Sequence, residues 1–408
     1  MLAAPPTPKG LRTRERILKA SSRVFSEKGY GASGVADICA ASDIAVGGFY
    51  RYFSGKDEVL ETVVSDLEAG LLAEIEGLPA CASVVEEIDA IAGLYFKFVE
   101  ENREFYQVMR EAEFACGRAS RKFYGSLAGA VGGRLSKYGA GLKDNEAAVY
   151  ALIGSLSFVA VKNIIWEKKP VPKRAVSDAS DVFVNGVSRG KPDFTALIEK
   201  AAAFKKCRVP EAREKETSSR LLASAELVFG RLGYGPAHIS EITRHAGYAA
   251  GTFYTCFRSK KEALDKLVLR LREELVSKAV AYSEGSASRT ETEVMSFIAL
   301  FDFIAEHPYG YKIMREAEFV DFKLAEDYYI YILRNYTARM RATALPGEFA
   351  IHDYAALSLM MMGIGHMLGL KYALWSAKGP GKKEMEGMLR QVFSGFNNAK
   401  KYQGGKYV

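Results

Sequence analysis

The feature that most constrains this chain is that it carries one long pattern twice. VFSEKGYGASGVADI begins at Val24 and VFGRLGYGPAHISEI at Val228, and the two align without a gap. The match continues through GGFYRYFSGKDEVL, ending at Leu60, and GTFYTCFRSKKEAL, ending at Leu264. MREAEF stands at 109–114 and again at 314–319. The pattern G-x7-K-x3-W occurs as Gly154, Lys162, Trp166 and as Gly363, Lys371, Trp375. The order is kept and the offset drifts little. The 408 residues therefore read as a tandem duplication of a unit of roughly 200 residues, not as a short solenoid repeat.

The net charge of +7 is unevenly spread. Residues 1–60 carry +3 and residues 205–264 carry +5, leaving the rest near neutral. Two basic segments on a neutral body point to a polyanion partner. The five cysteines form no CxxC pair and the five histidines are scattered, so neither a zinc site nor any other cofactor is expected. No charge-free run is long enough to span a bilayer, and the N-terminus lacks a leader-like apolar run. The expected setting is a cytoplasm, with no membrane partner.

Each unit reads as helical. Positions 17, 18, 21, 24, 25 and 221, 222, 225, 228, 229 repeat at i, i+1, i+4, i+7, i+8, which marks one helix face. Gly29 and Gly233 follow where a left-handed C-terminal cap is needed. Two short helices are predicted next, over 35–42 and 46–52 and their equivalents. Ser42-Asp43 and Ala246-Gly247 supply the tight turns between them. A fourth helix starts near Ser54 and Ser259. About five more helices per unit follow, and a connecting helix is read over 193–209, DFTALIEKAAAFKKCRV.

Two short helices joined by a tight turn behind a longer one make a helix-turn-helix. The string GY-x4-V-x2-I-x5-I-x2-G-x-FYRYF-x2-K from Gly29 to Lys56 resembles the N-terminal domain of TetR-family bacterial repressors. So does its counterpart from Gly233 to Lys260. The resemblance implies an all-α fold of two units, each a three-helix DNA-binding domain followed by a helical ligand-binding domain. The divisions are 9–56 and 57–192, a connecting segment 193–210, then 211–260 and 261–408. TetR-family proteins usually pair through their last two helices. Here the pairing helices are 147–166 with 177–188 and 354–375 with 384–398, which would make the monomer a pseudo-dimer, with further dimerisation still open.

The resemblance places Ala45, Val46 and Gly48, and Ala249, Ala250 and Thr252, toward base edges. None can make the bidentate contacts that separate G from A. Tyr50, Tyr52 and Tyr254 are candidate contacts, although Tyr50 and Tyr254 could also be core. Arg14 and the nearby Lys9 and Arg12 could reach a groove or phosphate, and Ser33 and His238 join the DNA-facing set. Lys56 and Lys260 sit in the first turn of a helix, where a cation opposes the dipole and a phosphate would relieve it. Arg258, Lys261 and His238 are expected to compensate in the second head for the loss of Arg51 and Tyr52.

In the bodies, Lys162 and Lys371 interrupt apolar helices and need partners. One reading pairs Lys162 with Glu113 and Lys371 with Glu318. The other has a lysine, or Arg110 and Arg315, meet an acidic effector. Phe105, Met109, Met314 and His366 complete the candidate pocket residues. His366 and Met360–Met362 exist in the second copy alone, so the two pockets should differ. Gly154, Gly363, Gly365 and Gly369 would let the pairing helices approach closely.

The function expected is a DNA-binding regulator, a repressor released from double-stranded operator DNA by a small, largely apolar effector. An architectural DNA-binding protein without effector control is the alternative. No GxSxG, HExxH, P-loop or dinucleotide fingerprint supports an enzyme.

Overall fold

A computed structural model describes residues 7–115, 117–139, 142–207, 217–376 and 379–399. Cys116 and the stretch 208–216, which includes the end of the connecting segment, lie outside the described residues. Among those described there is no strand, apart from one antiparallel bridge between Ser188 and Phe349.

The first half comprises α1 (Pro8–Lys28), α2 (Val35–Ser42), α3 (Val46–Phe49), α4 (Lys56–Glu76), α5 (Val84–Glu101), α6 (Arg103–Ala115), α7 (Gly117–Leu135), α8 (Leu142–Ala160) and α9 (Arg174–Asn185). The connecting helix is α10 (Phe194–Cys207). The second half repeats the series as α11 (Thr217–Leu232), α12 (Ile239–Ala246), α13 (Ala250–Cys256), α14 (Lys260–Ser283), α15 (Arg289–Glu306), α16 (Pro308–Val320), α17 (Phe322–Thr343), α18 (Tyr354–Leu368) and α19 (Lys382–Ala399). Both α8 and α18 run on into a π turn, Val161–Trp166 and Gly369–Leu374.

The local sequence explains the boundaries. Gly29 and Gly233 end the first helix of each half at φ 78° and 83°, a region where a Cβ is strained. Ser83, Ser259 and Ser288 each accept the N–H three residues on, capping α5, α14 and α15. In the first half Gly55 takes the place of Ser259, and Ser54 instead donates backbone and hydroxyl protons to Glu58 at 2.7 and 2.8 Å.

The halves join through α8 and α18, which make the most extensive helix contact in the protein. A Cβ on Gly154 would lie on the carbonyl of Gly363 and 2.7 Å from Met367 Cβ. Glycine at both positions is thus what lets the two backbones touch. Gly365 and Gly369 turn the other way, toward Leu300 and Ile304 of their own half, and so do not serve this crossing. Helices α9 and α19 flank the crossing. Beyond α9 the chain is stitched to the second half: the Val187 and Ser188 N–H groups donate to Val392 and Phe393 carbonyls at 3.0 and 3.1 Å. The segments Asn145–Trp166 and Tyr354–Leu374 are long and apolar enough to cross a membrane. In this fold 89% and 78% of their most apolar windows are buried in protein.

Candidate nucleic-acid interface and cavity

Each head is a three-helix unit with its hydrophobic side inward. Ile17, Ile38, Phe49 and Phe53 in one, and Leu221, Ile242, Phe253 and Phe257 in the other, are at most 2% exposed. The turn between the short helices is left-handed at Asp43 (φ 51°) and Gly247 (φ 77°). This turn throws α3 and α13 outward. Val46 and Tyr50 are 48% and 47% exposed and Tyr254 61%, so the tyrosines are surface residues and not core. Ala45, Ala250, Arg51 and Arg258 are also exposed, while Gly48, Tyr52 and Thr252 are half-buried. A Cβ at Gly48 would meet Ile44 at 2.9 Å. In the second head the same two positions hold Thr252 and Tyr248, so the two recognition faces differ in shape as well as in chemistry.

Both heads are held to the body by a carboxylate from MREAEF. Glu111 accepts the N–H of Tyr30 at 2.7 Å and of Gly31 at 3.3 Å. Glu316 accepts the N–H of Tyr234 at 3.0 Å. The two head loops also meet each other: a Cβ on Gly235 would lie 3.5 Å from the Gly31 carbonyl. Burial, with the neighbouring Glu316, pushes the Glu111 carboxyl up to about 8, against the pull of its N–H donors and of Lys56. Burial raises Glu316 as well.

The other members of MREAEF bind the bodies together, and they do so asymmetrically. Arg110 makes a bidentate pair with Glu318 of the other half, both bonds 2.7 Å, with the partners 3% and 4% exposed. Trp166 crosses over, donates to Glu318 at 2.8 Å and stacks on Tyr329 with centroids 4.9 Å apart. The reverse pair, Arg315 with Glu113, does not form. Glu113 instead accepts from Tyr124 at 2.6 Å and meets His366 Nε2 at 3.2 Å. His366 Nδ1 lies 2.8 Å from the Tyr311 hydroxyl. Burial, helped by Arg315, drives the imidazole down to about 4. A neutral ring donates from Nε2 and accepts at Nδ1, which satisfies both contacts.

A cavity of about 250 Å³ opens in the second half between α14, α15, α16, α17 and α18, with Phe158 of α8 forming part of its wall. Its closed end holds Tyr311, Met314, Arg315 and His366, each at most 6% exposed. Exposed Tyr331, Asn335 and Arg339 stand at its mouth. At the corresponding positions of the first half the side chains are tightly buried, with Tyr95, Tyr106 and Ser157 at most 5% exposed. There Tyr95 bonds Tyr106 and Ser157 at 2.8 Å each, where the second half has Leu300, Tyr311 and His366. Helices α4 and α7 pack closely, aided by small residues on the buried face of α7 (Ser120, Ala128, Gly132). Their counterparts α14 and α17, the latter crowded with Tyr328, Tyr329, Tyr331 and Tyr336, stand apart.

The sequence profile described as "Bacterial regulatory proteins, tetR family" matches residues 17–63 and again 221–267. The two matches start within α1 and α11 and end within α4 and α14, so they cover the heads. Both heads are TetR-family domains. The chain is 29% identical over 110 residues to the transcriptional repressor DhaR of Mycobacterium sp. (strain GP1), across 24% of this chain and 56% of that protein. It is 36% identical over 63 residues to the uncharacterised regulator YvdT of Bacillus subtilis (strain 168), across 15% of this chain and 32% of that one. The chain thus spans about half or less of these relatives' lengths. Among solved structures, the fatty acid degradation regulator FadR of Bacillus halodurans aligns at 18% identity with a TM-score of 0.38, covering 44% of this chain and 95% of that one.

Several residues expected at these TetR sites are placed differently. Lys56 donates to the carbonyls of Tyr30 and Ser33 at 2.9 Å each. Lys260 donates to Tyr234, Gly235 and Ala237 at 2.8, 3.0 and 2.9 Å. An ammonium has three protons, so Lys260 has none left for phosphate: both lysines clamp the loop after the first helix. Ser33 is buried and its hydroxyl donates to Gly29 at 2.7 Å. Arg14 lies over the Phe53 ring at 5.4 Å. Lys261 is held by Asp265 and Asp321 at 2.6 and 2.7 Å, so it does not compensate for Arg51. His238 is exposed at the start of α12.

The expected pairs of Lys162 with Glu113 and Lys371 with Glu318 are also replaced. Lys162 meets Glu167 at 2.9 Å and Lys371 meets Glu146 of the other half at 2.9 Å. Both lysines are about 30% exposed, because the π turn rotates them to the surface. Of the proposed pocket residues, Met314, Arg315 and His366 line the cavity; Phe105, Met109, Arg110, Glu113, Lys162, Glu318 and Lys371 do not. The sequence reading missed Phe158, which enters from the sister half, and the aromatic stripe of α17 beyond Tyr329. That stripe was visible as Tyr328, Tyr331, Ile332 and Tyr336 recurring at helical spacing, where Asn335 breaks an otherwise apolar face.

Proposed function

We propose that this chain is a DNA-binding transcriptional regulator that works as a single molecule. Its two heads take the place of the two identical heads of a homodimer, and its α8–α18 crossing takes the place of the subunit interface. The observation that carries this reading is the pair of outward-facing recognition helices, in heads whose loops are anchored to the body through Glu111 and Glu316 and meet at Gly31 and Gly235. DNA contact falls to Val46, Tyr50 and Arg51 in one head and to Ala250, Thr252, Tyr254 and Arg258 in the other, with Lys9, Arg12 and Arg14 reaching phosphate from the first turns of α1 instead of from a separate arm. Filling the second-half cavity would shift α16, which carries Glu316, and so release the operator. This is repression relieved by an effector.

Unlike heads read unlike half-sites. Val46 presents two methyls to a thymine where Ala250 presents one, and Thr252 offers a hydroxyl where Gly48 has none. Each altered contact shifts preference by about 1–3 kcal/mol per base pair. The operator should be an imperfect, directional repeat with half-sites one helical turn, or a multiple, apart. Footprinting on selected genomic fragments, followed by scrambling each half-site in turn, tests this. Equal losses from either half of a perfect palindrome would refute it.

A further inference from the structure

The broken symmetry around MREAEF leaves one buried guanidinium without a direct ion pair. Arg110 has Glu318. Its counterpart Arg315 is 4% exposed and makes no ion pair among the described residues; Glu113 and Glu318 act on it only at longer range. His366, standing where the first half has Ser157, holds Glu113 away from it. Arg315 donates to the Tyr329 hydroxyl and lies over the Phe158 and Tyr329 rings at 5.3 Å each. Its Nε is buried without a hydrogen-bond partner.

A guanidinium does not shed its proton, so burial cannot be relieved by neutralisation. A buried cation with an unused N–H and no carboxylate in direct contact is costly unless something completes it. This one lines the closed end of the cavity. Away from it the walls are apolar and aromatic: Phe297, Leu300, Tyr328, Met361 and Met362. At the far end Arg289, whose Nε is also buried without a hydrogen bond, has Glu293 as its ion-pair partner, and Arg339 is open to solvent. The site therefore has one deep cation without an ion pair and a long apolar approach to it.

We propose that each chain binds one amphipathic monocarboxylate in its second half, with the carboxylate on Arg315 and the apolar body along the walls toward Tyr331. The first half binds none, because Tyr95, Tyr106 and Ser157 are tightly buried at the equivalent positions and Arg110 is already paired. The inference rests on the reading of this cavity as the effector site, and it adds the ligand's chemistry, orientation and number.

Calorimetric titration of the full chain with decanoate and with naphthoate, each beside its neutral alcohol (decanol, naphthylmethanol), tests it. At least one carboxylate should bind at one site per chain. Its alcohol should bind about ten- to a hundredfold more weakly, the worth of a charge-assisted bond to a buried cation. Arg315→Met should reduce the carboxylate to the level of the alcohol, and Arg315→Lys should retain part of the difference. Equal binding of acid and alcohol, two sites per chain, unchanged binding in Arg315→Met, or binding of neither acid would overturn the proposal. If Arg315→Met does not fold by circular dichroism, the acid–alcohol comparison on the unaltered protein decides alone. A mobility-shift assay with the same ligands separates the two readings: tight binding with no loss of DNA leaves the carboxylate site standing and removes the effector role.

Discussion

Replacing Glu318 with Met should be among the most damaging single changes in the protein. It removes the bidentate partner of Arg110 in a place where both groups are at most 4% exposed. The guanidinium remains charged and buried, and leaving one member of a buried pair alone costs about 3–5 kcal/mol. The Trp166 hydrogen bond to the same carboxylate is lost too, which adds about 1 kcal/mol. Against a total stability of roughly 5–15 kcal/mol, that is a large fraction. Arg110→Met leaves Glu318 buried with Trp166 as its one hydrogen-bond donor and Arg315 at longer range, and should cost a similar amount. The double variant Arg110→Met/Glu318→Met removes both charges and should recover most of the loss, because two methionines fill the space without desolvating an ion. Urea unfolding followed by circular dichroism and tryptophan fluorescence would measure all four corners of the cycle. Arg103→Ala, which breaks a half-exposed pair with Glu100 inside the first half, is the control and should cost under about 1 kcal/mol. If the double variant is no more stable than the worse single, or if Glu318→Met behaves like the surface control, the halves are not tied through this pair.

Three further outcomes follow from the geometry. Gly154→Ala places a methyl against Gly363 and Met367; it should destabilise by about 1–3 kcal/mol in thermal melts, whereas Gly133→Ala, with open space around it, should not. Lys260→Ala should lower the melting temperature and weaken DNA binding through loss of the loop clamp, yet leave the slope of log affinity against log salt unchanged; a slope reduced by about one would return this lysine to the phosphate interface. Stability should fall as pH rises. The raised Glu111 carboxyl carries no penalty below its ordinary value of 4.5 and becomes a buried anion as pH passes about 8. His307, raised to about 9 by its bonds to Glu226 and Glu274, contributes fully below 6.5 and loses that contribution as pH passes about 9. Urea midpoints from pH 5 to 9.5 should show the decline, and Glu111→Gln should flatten its lower part.

The duplication, the helical content and the two heads were legible because they rest on local signals. Periodic apolar positions, a left-handed turn at Asp43 or Gly247, and glycine after the first helix each act within a few residues. The close α8–α18 crossing was legible in part, since Gly154 and Gly363 mark where backbones touch. Gly365 and Gly369 look the same in sequence but face their own half, a distinction that depends on helix rotation. The ion pairs were misread because the π turn is invisible in composition: one extra residue in a turn carries Lys162 and Lys371 out to the surface. MREAEF identified the right carboxylates and arginines but not their partners, which come from the other half. The difference between the cavities was foreshadowed by His366 and Met360–Met362. Its physical cause was less visible: Tyr95 against Leu300, and small residues on α7 against tyrosines on α17.

The central claim is that one chain supplies both heads to one operator. The most direct test is the mass of the complex on a duplex carrying the footprinted site, measured by sedimentation or mass photometry across a range of protein concentrations. The account predicts one 44.9 kDa chain per duplex, with protection of both half-sites and no concentration-dependent second binding step. Two chains per duplex, or a single chain that protects one half-site and leaves the other open, would contradict it.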